Sequence, residues 1–85
     1  MPKPLHSTLH AETVISERQL DLAWIEKTVR EPEWTEADHS GPPTERRYRR
    51  IPEREERILR VICLETATEI RIITAFLDRR VRMPQ

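Results

Sequence analysis

Three β-rich runs near residues 45–51, 57–65 and 69–77, separated by only five and three residues, constrain this chain more than any other feature. A parallel crossover takes a dozen or more residues, so linkers this short dictate antiparallel pairing. The separating segments are Pro52-Glu-Arg-Glu-Glu56 and Thr66-Ala-Thr68, and neither holds a glycine, so the turn types stay open. Arginines are threaded through these runs. Arg60 stands in Ile58-Leu-Arg-Val-Ile-Cys-Leu64 and Arg71 in Ile70-Arg-Ile-Ile73. A guanidinium inside a β-branched run requires a carboxylate, water or an anionic ligand.

Upstream the hydrophobic period is helical. Pro2 and Pro4 keep the N-terminus extended, with Leu5 starting a short edge strand. Ser7 or Thr8 caps a first helix reaching about Arg18, with Ala11, Val14 and Ile15 as its apolar face at i, i+3, i+4. Asp21 caps a second helix, Leu22 to Arg30, with Leu22, Ile25 and Val29 as its buried stripe and Trp24 on the flank. Arg30 suits the C-terminal dipole and Pro32 forces the exit. Two or three helical turns cannot stand alone, so both helices must pack on the sheet. Residues 33–37 read as a further short strand, and His39-Ser-Gly-Pro-Pro43 as a loop. The expected fold is α+β: two N-terminal helices packed on one face of a four- or five-stranded, mainly antiparallel sheet.

Eighty-five residues make one domain, 1–85. Its formal net charge is zero, but residues 1–44 carry four basic against eight acidic residues, and residues 45–85 eleven arginines against seven acids. Either the protein presents a basic surface or its two layers pair their charges. Cys63 is the only cysteine, which excludes an intrachain disulfide and makes it a small core residue. No run nears the roughly 20 apolar residues of a spanning helix, and the start lacks a signal-peptide apolar region, so a cytoplasmic location without membrane contact is expected.

Alternation assigns the strand faces. Leu59, Val61 and Cys63 point one way, and Ile58, Arg60, Ile62 and Leu64 the other. In the last strand Ile70, Ile72, Thr74 and Phe76 oppose Arg71, Ile73 and Ala75. Paired as a hairpin, the two strands can bring Arg60 and Arg71 to one face. Several chemistries are excluded or poorly served. One cysteine with His6, His10 and His39 gives no zinc-ligand spacing. A single glycine rules out a phosphate-binding glycine loop. No metal or cofactor is expected, and no helix-turn-helix signature is present.

Several short pieces follow one another along nearly the whole chain: His10-Ala11, Glu17-Arg18, Trp24-Ile25-Glu26, Glu31-Pro32, Tyr48-Arg-Arg-Ile-Pro52, Leu59-Arg-Val61 and the closing Ile72-Ile-Thr-Ala-Phe-Leu-Asp-Arg-Arg80. In these residues and their order the chain resembles the DUF4258 family of small bacterial proteins. That family is similar to the RelE-like and BrnT-like ribonuclease toxins of type II toxin–antitoxin pairs. The resemblance implies helices on one side of a curved antiparallel sheet, RNA or the ribosome as target, and a cognate antitoxin as partner. Metal-independent RNA cleavage requires a base, an acid and cations facing the phosphate. Arg60 and Arg71 are the candidate catalytic cations, and His10 the acid–base group, since imidazole titrates near neutrality. Glu17, two helical turns on, is its candidate support. Arg18, Arg49, Arg50 and Arg79 are candidate phosphate-binding residues.

The same residues also read structurally. Arg60 and Arg71 can pair with Glu17, Glu26, Glu65 or Glu69 across the sheet, and Arg46, Arg47, Arg54 and Arg57 alternate with glutamates as a solvated hairpin surface. Asp78-Arg-Arg80 can cap the last strand electrostatically. The expected function is therefore a ribonuclease toxin; the competing one is a non-enzymatic protein- or RNA-binding module, favoured by the neutral total charge.

Overall fold

A computed structural model describes residues 3–78. The element order is β1 (Leu5–Ser7), α1 (Leu9–Glu17), α2 (Leu22–Arg30), β2 (Trp34–Ala37), β3 (Thr44–Ile51), a short 3-10 turn (Pro52–Arg54), β4 (Arg57–Glu65) and β5 (Ile70–Asp78). The fold is α+β, with a five-stranded mixed sheet in the order β1-β5-β4-β3-β2. β2 to β5 form an antiparallel meander, as the short linkers require, while β1 adds in parallel beside β5. The two helices separate β1 from the meander and give the chain the length it needs for a parallel return.

Both helices begin where their caps place them. Thr8 Oγ1 accepts from the Ala11 N–H at 3.1 Å, and Asp21 Oδ1 from the Ala23 N–H at 2.8 Å. Of the two residues offered as first cap, Thr8 takes the role because Ser7 is still paired in β1. Ala11, Ile15, Leu20, Ile25 and Val29 meet Leu59, Val61 and Cys63 of β4 in the core. Ile70, Ile72 and Ala75 of β5 complete it. Burial pushes the Cys63 thiol up to about 11, as befits a packed side chain rather than a nucleophile.

Three expectations are corrected. Leu22 is 68% exposed rather than part of the buried stripe, since it opens the first turn of α2 and Thr28 takes a buried place beside Ile25 and Val29. In β5 the alternation breaks. Ile62 pairs with Thr74 but Cys63 with Ile72, which leaves Ile73 as a bulge. Beyond it Ala75 turns to the core, while Thr74 and Phe76 join Arg71 on the opposite face. Finally, Arg47 is not solvated surface. Its side chain lies beneath the end of α2, donating from Nη1 to the Val29 carbonyl (2.9 Å), from Nε to Glu45 Oε1 (2.6 Å) and from Nη2 to Glu65 Oε1 (2.8 Å). The glycine-free β3–β4 turn closes through Glu55 and Glu56, both left-handed at φ 57° and 64°.

Glu65 also accepts from Lys3 Nζ at 2.7 Å, tying the N-terminus to the hairpin. The bonds from Arg47 and then Lys3 hold its carboxyl down at about 2. A carboxyl whose folded pKa is depressed stabilises fully above its ordinary value, here 4.5, and loses that contribution as pH falls toward about 2. Acid titration of the thermal midpoint is therefore expected to decline through this window, with a shallower slope for Glu65→Gln. Equal slopes would show that the Arg47–Glu65–Lys3 linkage carries no pH-dependent stability.

Candidate binding face

Neither helix packs on the second face of the sheet, which is organised by cross-strand registry. One row across it reads Trp34, Tyr48, Arg60 and Phe76, brought level by the pairings Trp34–Tyr48, Tyr48–Arg60 and Arg60–Phe76. The Trp34 and Tyr48 rings are stacked, with centroids 4.7 Å apart and planes 3° from parallel. Tyr48 is only 2% exposed although it lies outside the main core, and its hydroxyl donates to Glu36 Oε1 at 2.8 Å. The Arg60 guanidinium sits 4.0 Å from the Phe76 ring centroid, and that of Arg18 at 5.6 Å. Ile62 and Thr74, then Leu64 and Arg71, form the adjoining rows, and β1 places His6 level with Arg71.

Ion pairs neutralise most of this face. Arg60 Nη2 lies 3.5 Å from Asp78, Arg71 Nε 3.5 Å from Glu69, and Arg46 Nε 3.0 Å from Asp38. Hydrogen bonds from Ser40 and Arg46 keep the Asp38 carboxyl far below the usual range. Arg50 approaches Glu56 at 3.3 Å and Glu33 at 3.7 Å. Among the described residues, Arg60 Nε is buried without a hydrogen-bond partner.

The structure thus brings Arg60 and Arg71 to one face, but four positions apart along β4, since Arg71 pairs with Leu64. At roughly 3.3 Å per residue that is about 13 Å, too far to grip a single phosphate. Arg71 finds Glu69, as its structural reading allows, whereas Arg60 finds Asp78. His10 and Glu17 stand exposed on α1, in the layer beyond the sheet from Arg60, so the sheet's thickness separates them from both arginines. Arg18 reaches the outer edge of β5, where its Nη1 donates to the Ala75 carbonyl at 2.9 Å. Arg49 turns to the helix side and donates to the Glu31 carbonyl at 2.6 Å. With Arg50, Trp24, Lys27 and Glu53 it lines a cleft of about 650 Å³ that also holds Glu33 and Glu56. Arg79 lies outside the described residues. Among those described, no three His, Cys, Asp or Glu side chains gather as a metal site, and no helix is long and apolar enough to cross a membrane.

The Trp34–Tyr48–Arg60–Phe76 row and the place of His6 beside Arg71 were not foreseen from the residues. Their signal is registry, and Phe76 enters the row only because Ile73 bulges. Comparison with curated proteins and with solved structures gives no match for either. Comparison with protein families matches residues 7–77 to a domain of unknown function, DUF4258. With nearly the whole described fold inside that match, the chain belongs to the DUF4258 family.

Proposed function

We propose that this protein is a non-enzymatic module that docks a partner protein across the helix-free face of its sheet. The observation that carries this reading is the Trp34–Tyr48–Arg60–Phe76 row set in a face whose arginines are already ion-paired. Tryptophan, tyrosine and arginine dominate the energetics of protein interfaces. Nucleic-acid binding, by contrast, draws its affinity from unneutralised cations. Ile62, Leu64 and Phe76 give the face an apolar centre, which suits a partner that presents an apolar surface rather than a strongly charged one.

The test is a photo-crosslinking amino acid at position 62 in living cells, followed by reconstitution of the identified protein with the purified chain. Ile62→Glu is expected to weaken the reconstituted complex about 100-fold, roughly 2.7 kcal/mol, while Glu12→Ala on the helix side changes it less than twofold. Docking elsewhere follows if Ile62→Glu binds normally, and RNA recovered as the only crosslinked species would replace the reading.

RNA cleavage is the second reading, supported by His6 standing level with Arg71 on the same face. An imidazole beside a guanidinium supplies an acid–base group and a phosphate contact. Incubating the purified protein with mRNA, with and without ribosomes, tests it. Cleavage that Arg71→Ala and His6→Ala abolish would support it, and intact RNA in both formats would remove it.

A further inference from the structure

The two outer edges of the sheet differ in what flanks them. β2 offers exposed Thr35, Glu36 and Ala37. β1 is bordered by apolar space. It pairs with β5 through residues 4, 6 and 8: the Pro4 carbonyl accepts from the Ile70 N–H, and the Thr8 N–H donates to the Ile72 carbonyl, each at 3.0 Å. Strand alternation turns the N–H and C=O groups of Leu5 and Ser7 to the outer side, where no strand pairs with them among the described residues.

Two cavities of about 380 and 390 Å³ open beside this edge and share Ser7 and Leu22 as walls. Leu5, Ala23 and Ile25 line the first, and Ile15 and Leu20 the second. Leu9 and Leu22, at 75% and 68% exposure, are the large exposed hydrophobics of the described residues. One lies two positions beyond Ser7 and the other forms the shared wall. Each cavity has an acidic rim residue: Glu26 for the first, already paired with Arg30 at 3.3 Å, and Glu12 for the second, with no ion pair among the described residues.

We propose that the outer edge of β1 receives an extended peptide as a sixth strand, with apolar side chains at alternate positions entering the two cavities and a basic residue meeting Glu12. Main-chain bonds to Leu5 and Ser7 supply affinity, and the cavities select alternate side chains, the division of labour in strand addition. Alternate residues of a strand lie roughly 6.6 Å apart on one face, which suits neighbouring cavities with common walls. The acidic rim sets the sign of the flanking charge. This site lies on the helix side and stands independently of docking at the helix-free face.

Selection of a phage-displayed random dodecapeptide library on the full chain, with NMR of the ¹⁵N-labelled protein, tests it. Enriched peptides are expected to alternate apolar and polar residues beside a lysine or arginine, and to slow exchange of the Leu5 and Ser7 amides at least tenfold. Leu22→Glu, and separately N-methylation of alternate peptide amides, should each weaken binding at least tenfold, whereas Ile62→Glu leaves it unchanged. Leu22 is exposed, so the variant should keep the wild-type unfolding midpoint; Leu22→Ala provides a milder second variant, expected to weaken binding severalfold. No enrichment, or binding indifferent to Leu22→Glu or to N-methylation, overturns the proposal.

Discussion

Leu59→Ala is expected to remove about 3–4 kcal/mol of unfolding free energy, the range for truncating a fully buried leucine into a cavity. Leu59 has no exposed surface and lies at the centre of β4, with strands on both sides and helices above. Its surroundings are held by ladders from β3 and β5, so they have little freedom to collapse into the space. A domain of this length has a total stability of roughly 4–13 kcal/mol, so the variant gives up a large share of it. Urea denaturation of the purified protein measures the loss. Ile62→Ala is the internal control, three residues along the same strand and on the helix-free face. It should cost less than about 1.5 kcal/mol, since its side chain is only half-buried. Equal losses at the two positions would contradict the assignment of the faces.

The second large effect is expected at Arg47, where Arg47→Ala should cost about 3 kcal/mol, the low end for breaking a buried ion pair. Glu45 and Glu65 keep over a third of their side-chain surface in water and can rehydrate. The Val29 carbonyl, in the last turn of α2, cannot do so as easily, and the arginine's buried stem is lost as well. Arg47→Lys separates these causes. Lysine keeps much of the stem and the charge but cannot reach three acceptors in a fixed fork, so about half the loss should remain. Full recovery with lysine would show that the fork geometry is unimportant.

These two residues also show what was legible in the chain. Leu59 declared itself, because strict alternation in residues 57–65 sorts core from opposite face before any partner strand is known. The helices were equally open to reading through Thr8, Asp21 and Pro32, each acting on its own neighbourhood. Arg47 was hidden: its three acceptors are 2 to 18 residues distant in the chain, and alternation with glutamates looks the same on a wet ribbon as around a buried fork. The candidate site was hidden for a related reason. Arg60 and Arg71 were correctly brought to one face, yet their spacing, their separation from His10 and their alignment with Trp34, Tyr48 and Phe76 depend on registry. Registry is a property of pairs of strands, and a single strand does not encode it.

The bulge at Ile73 makes β5 behave like a message with a built-in frameshift. Upstream, Ile70 and Ile72 are read into the core; downstream, the phase changes and Ala75 and Leu77 are read there instead. A chain lacking residue 73 would be spelled in one phase throughout, with Ala75 and Leu77 still turned to the helices and Thr74 and Phe76 still turned away, against the same β4 partners. One residue added after Ile73 would instead present Phe76 and Asp78 to the helices or slide the strand against β4. The single-residue deletion should therefore refold as the parent does, and the single-residue insertion should not.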